Sequence, residues 1–153
     1  MNRYKMLMAL ALAVFIAISG FDVLAHAGAE GIVKHRMMQM KSIGKAMKSI
    51  TVMMRKSTPY DADQARTHVQ TIKTHSGKAL TDLFPKGSLQ QPTEATPEIW
   101  SEWQEFAELA DQLTIAATVL ESVIDKDHKQ RAVALQDLGK ACSSCHKSFR
   151  KKK

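Results

Sequence analysis

Residues 97–125 read PEIWSEWQEFAELADQLTIAATVLESVID. Within them Ile99, Trp103, Phe106, Ala110, Leu113, Ala117, Leu120 and Ile124 recur at alternating intervals of four and three. That spacing lays one apolar stripe along a helix and turns the acidic residues away from it. No part of the stretch alternates with a period of two, as a half-buried strand would. The segment reads as a long amphipathic helix that needs helical neighbours.

Working outward, the same spacing appears in three more blocks. Before it, Val33, Met37, Met40, Gly44, Met47, Thr51 and Met54 form one seam, and Ala62, Ala65, Val69, Ile72, Ser76, Ala79 and Leu83 a second. After it come Leu135, Leu138, Cys142, Cys145 and Phe149. A shared heptad register predicts stripes that meet in a common core. Helices are expected near 30–56, 59–83, 97–125 and 128–150. Thr58-Pro59 and Thr96-Pro97 have the form of a capping residue followed by proline in the first turn, and Asp127 reads as a third cap. The links at 57–58 and 126–127 are too short for anything but antiparallel neighbours, whereas the polar 84–96 link can cross one end. The fold class is therefore all-α, an antiparallel up-down four-helix bundle.

The chain has 153 residues, a length suited to one domain. Its beginning reads differently. Arg3 and Lys5 precede the uncharged Met6–Ser19 run, and Ala25-His26-Ala27 offers a small-x-small cleavage site. This is the layout of a secretory signal peptide, and the run is short of the ~20 residues a membrane span needs. Residues 1–27 are expected to be a cleaved signal and 28–153 the mature domain, which places the protein in the periplasm with no lasting membrane insertion. Cleavage removes two cations and one anion, so the net charge of +7 becomes +6. The basic residues are scattered over helix faces without interleaved aromatics, which argues against nucleic acid as a partner. The Arg150–Lys153 run is a solvated end that can steer an acidic partner.

Both cysteines of the chain lie in Cys142-Ser143-Ser144-Cys145-His146. The pattern C-x-x-C-H is the attachment signature of c-type haem. Two thiols reach the vinyl groups on one porphyrin edge, and the adjoining imidazole ligates the iron from below. On a helix Cys142, Cys145 and His146 share one face. A thioredoxin-like site would need strands that the pattern lacks, and a structural zinc site would need four ligands. Haem c, one group covalently bound, is the expected cofactor. Met40 lies on the first seam with Gly44 one turn later, where the missing side chain would let a flat macrocycle approach the helix.

Cys142–His146 followed by Phe149-Arg150, Pro97-Glu98-Ile99-Trp100, Leu83-Phe84-Pro85, and Arg36 with Met40–Met47 occur here in order. In these features the chain resembles the class II c-type cytochromes, the cytochrome c-prime and low-spin cytochrome c-556 family, over essentially its whole mature length. The resemblance implies an electron carrier rather than an enzyme. It makes His146 the proximal iron ligand and Met40 the distal one, by the M-K-x-x-G-x-x-M pattern of the c-556 branch. It puts Arg36 and Arg150 in the haem environment, and sets a periplasmic redox protein as the partner. Its alternative is a five-coordinate binder of NO or CO, as in the c-prime branch. It further implies a homodimer through the first two helices, for which Ile43, Ile50 and Val52 beside the first seam are candidates. His35, His68 and His75 are expected at the surface, and Trp100 and Trp103 in the packing of the bundle.

Overall fold

The computed structural model describes residues 30–55 and 59–152. The expected signal segment, His26 and the Thr58 cap lie outside them. Among the described residues six helical segments build the four arms of a bundle: α1 (Gly31–Met54), α2 (Ala62–Thr74), α3 (Lys78–Thr81), α4 (Glu98–Ser101), α5 (Trp103–Ser122) and α6 (His128–Phe149). α1 packs on α2, α2 on α5 and α5 on α6, so α1 and α5 stand diagonally opposed. Among the described residues no strand occurs. The all-α four-helix-bundle expectation is met.

Two of the expected helices are interrupted. The second breaks after Thr74, where Gly77 takes φ +57° and its N–H donates to the Ala110 carbonyl at 3.0 Å. Ser76 reinforces the break through a 2.7 Å hydroxyl contact with Thr114. Because the chain restarts at Lys78, the register slips: Leu80 is buried and Ala79, assigned to the seam by periodicity, is exposed. The third breaks at Glu102, and Trp103, expected to pack inside, is 42% exposed, its ring tilted against Phe106 at 5.7 Å. Trp100 does pack inward and donates its indole N–H to the Phe84 carbonyl at 3.0 Å.

The ends follow capping chemistry. Asp61 caps α2 by accepting from the Gln64 N–H at 2.9 Å, so that helix begins at Ala62 and not at Pro59. Asp127 caps α6 in the same way through Gln130 at 3.0 Å. His128 donates from Nε2 to the Met54 carbonyl at 3.0 Å, tying the start of α6 to the end of α1. Tyr60 donates to the Ile124 carbonyl at 2.8 Å and is covered by the Arg131 guanidinium, 3.8 Å from its ring centre.

The interior falls into two apolar clusters. The larger joins Ile43, Ala46 and Ile50 of α1 to Val69 and Ile72 of α2, Leu113, Ala117 and Leu120 of α5, and Leu138 of α6. The smaller gathers Leu80, Phe84, Ile99, Phe106 and Phe149 under the crossover, with Phe84 and Phe149 set edge-on to Phe106. The seam of α1 requires correction. Its buried side runs through Val33, Arg36, Gln39, Ile43, Ala46, Ile50 and Met53, while Met37, Met40, Met47 and Thr51 are half-buried and Gly44 is exposed. Ile43 and Ile50 are therefore core residues, unavailable to a second copy of the chain; Val52 alone of the three reaches the surface.

Candidate functional site

α6 brings Cys142, Cys145 and His146 onto one side of a continuous helix, and neither cysteine is engaged in a disulfide. The two thiols straddle the junction of the clusters: Cys142 packs against the larger and Cys145 against the smaller. Met40, from α1, packs against both. Two helices far apart in sequence thus present a thioether and the attachment motif at the same junction. Gly44 follows one turn beyond Met40, and a Cβ there would meet nothing within 4 Å apart from its own turn of helix. The polypeptide leaves that side of α1 open.

Burial pushes the Cys142 thiol up, and burial together with the neighbouring Cys142 raises Cys145 to about 11. Both are protonated thiols at neutral pH, the form that adds across a vinyl group to give a thioether. Partial burial, and then the charge of Arg150, hold the His146 imidazole below its ordinary range, while Glu94 pulls the other way. A neutral imidazole is the ligating form. The donor set, two free thiols and a neutral imidazole on α6 with the Met40 thioether packed at the same junction as the thiols, fits a haem tethered to α6.

The two arginines are not free side chains. Arg36 is 3% exposed; it donates to Ser88 Oγ at 3.0 Å, to the Ser88 carbonyl at 2.6 Å and to Thr93 Oγ1 at 2.8 Å, and lies 4.8 Å from the Phe84 ring centre. Its burial, neither in solvent nor open to a ligand, comes from the crossover folding down over it. Arg150 pairs with Glu94, its Nε 2.7 Å from the carboxylate. Alongside, the Thr96 N–H donates to the Phe149 carbonyl at 3.1 Å and the Lys151 N–H to the Glu94 carbonyl at 2.8 Å. The tail after the motif is therefore stitched to the crossover. Glu94, Ser88 and Thr93 escaped sequence reasoning: each sits in a polar link without periodicity, and only chain topology carries it to its partner.

His35 is exposed as expected, and His68 and His75 are half-buried on α2 and just after it. No group of three His, Cys, Asp or Glu suited to a metal ion occurs among the described residues. Among them, too, no helix is long and apolar enough to cross a membrane.

Comparison with known proteins agrees with the geometry. The family model described as Cytochrome C' matches residues 31–150. A cytochrome c-556 of Agrobacterium tumefaciens strain B2A is 34% identical over 123 residues, covering 80% of this chain and 99% of that one. A solved cytochrome c' with ligand-controlled dimer dissociation superposes with a TM-score of 0.73 at 22% identity, covering 82% of this chain and all of the other. A nitric oxide complex of a variant cytochrome c prime from Alcaligenes xylosoxidans gives 0.71 at 28% identity, covering 80% and 94%. The thiol pair and imidazole on α6, the bundle that carries them and these likenesses converge: the chain belongs to the cytochrome c-prime and c-556 family of monohaem cytochromes, whose cofactor is covalently bound haem c.

Proposed function

We propose that this cytochrome carries single electrons through a low-spin haem ligated by His146 and Met40. The observation that carries the reading is the position of Met40, packed against both apolar clusters where Cys142 and Cys145 also lie. Bound haem supplies a one-electron couple at its iron. Cys142 and Cys145 would hold it by thioethers, His146 would take the proximal position and Met40 the distal one. Held by Met40 and His146, the iron would have a higher potential than with two imidazoles, and both residues would stay in place on electron transfer. Arg150, beside His146 and fixed by Glu94, would keep that imidazole neutral; Arg36 would act at one remove, by holding the crossover down. Gly44 would give the macrocycle room. The family consists of electron carriers, and no catalytic residue is assigned.

A second reading has an open iron that binds NO or CO, and the nitric oxide complex of the Alcaligenes protein is its support. Met40 favours the first. The sequence pattern supports cleavage of residues 1–27, and with it a periplasmic site of action for 28–153 and a periplasmic redox protein as partner. A homodimer through α1 and α2 has thin support: Met38 and Val52 are the large apolar residues exposed on those helices, and a symmetric α1 contact would set lysines against lysines.

The test is the absorption spectrum of the holoprotein. A sulfur-to-iron charge-transfer band at the red end of the oxidised spectrum should vanish in Met40→Ala, and the reduced variant should then bind carbon monoxide readily. Ready binding by the unsubstituted protein would transfer the assignment to the second reading.

A further inference from the structure

The four arms of the bundle are not electrically alike. α1 carries Lys34, Arg36, Lys41, Lys45 and Lys48 and no acidic residue. α5 carries Glu105, Glu108, Asp111 and Glu121 and no basic one. Since these two helices are diagonal to each other, one flank of the molecule is cationic and the opposite flank anionic.

On α1 the charge is further concentrated. Lys34, Met38, Lys41, Lys45, Lys48, Val52 and Arg55 follow one another at intervals of three and four, and all are exposed. At 100° per residue this stripe lies about 90° round the helix from Met40, Gly44 and Met47, on the far side from Ile43 and Ile50. It spans about 30 Å. None of its cations makes an ion pair among the described residues, whereas Arg66, Lys73, Lys78, Lys140 and Arg150 elsewhere all do. Like charges one turn apart weaken a helix. The fold bears that penalty along α1 with one acidic residue at its edge, the capping Glu30, a turn before Lys34, and none beside Lys41, Lys45 or Lys48 in the helix itself.

We infer that the exposed Lys34–Arg55 face of α1 is the docking surface for an acidic protein partner. The stripe borders the open side of α1 at Gly44, so a partner seated there lies against the edge of the candidate haem site. The molecular dipole would turn this flank toward a negative surface before contact, and such steering can raise encounter rates at least tenfold at low salt. Of the C-terminal cations, the other candidate for this role, Arg150 is engaged with Glu94 and Lys151 Nζ with the Thr93 carbonyl at 3.0 Å, which leaves Lys147 and Lys152 against the five cations of the α1 stripe. A lipid surface fits less well. Helices that lie in a membrane interface bury bulky apolar residues, and this face offers only Met38 and Val52. That the partner is a redox protein rests on the electron-carrier reading above; the location of the docking face does not.

The probe is poly-L-glutamate, titrated into the isotopically labelled holoprotein at low salt, with amide shifts mapped by NMR. Shifts should concentrate on α1 and disappear at high salt. K41E/K45E should weaken binding about tenfold or more, and K126E/K129E, with the same change in net charge, by less than threefold. Shifts centred on residues 147–152, or equal losses in the two variants, would overturn the proposal. So would tighter binding to phosphatidylglycerol vesicles than to polyglutamate, which would make the face a membrane contact. Salt-sensitive self-association abolished by K41E/K45E would hand it to the acidic α5 of a second copy. Because the assay reads no electron transfer, it can succeed even if the spectrum shows an open iron.

Discussion

α1 presents two apolar sides, and they have different fates. Ile43, Ala46, Ile50 and Met53 meet three other helices and are sealed. Met37, Met40, Met47 and Thr51, one residue further round, are left half-covered, with Gly44 bare among them. Both sides repeat at three and four residues. Periodicity reports that a side is meant to be covered, but not by what. The difference teaches that an apolar stripe left open by the polypeptide can have a complement of another kind; on the proposed function, that complement is a macrocycle tethered to α6.

The comparison breaks most completely if the tether is wrong. Replacing Cys142 and Cys145 together by serine should abolish covalent haem: acid–acetone should strip all colour from the double variant and none from the parent. Colour retained by the variant would remove the motif from the site. A smaller test sets the two sides against each other. Ile50 is 0% exposed, and Ile50→Ala should lower the unfolding free energy of the holoprotein by about 3 kcal/mol. Met47→Ala should cost about 1 kcal/mol in protein packing, since much of its surface has no protein neighbour. Urea titrations of both variants decide it, and equal losses would erase the distinction. The finest test is Gly44→Ala. In open space on a helix the change should stabilise by about 1 kcal/mol through helix propensity alone. If the haem plane occupies that space, the gain is absent from the holoprotein and the Soret band moves. A clean gain with an unaltered spectrum would return this side of α1 to solvent.

Much of the architecture was legible because it is local. Seams, the Asp127 cap and the short α5–α6 link each depend on residues near one another in the chain. The attachment motif was legible for the same reason, being contained within five residues. What periodicity missed is tertiary. The break before Lys78 depends on the Ala110 carbonyl and Thr114 of another helix, and a Cβ on Gly77 would lie 2.9 Å from Thr114 Oγ1. Burial of Arg36 depends on Ser88 and Thr93, more than fifty residues away. On α1 two adjacent stripes satisfy the same spacing, and the methionine-rich one, the more apolar by composition, lies one residue off the buried centre.

The crossover between α3 and α4 is fastened along both edges, by Arg36 on one side and by Phe149, Arg150 and Lys151 on the other. Irregular connections are ordinarily where a chain accepts added residues. This one cannot lengthen freely without unhooking either the first helix or the residues that follow the haem motif. Insertions or engineered grafts in this link should therefore loosen α1 and the residues after α6 together, although the link belongs to neither helix.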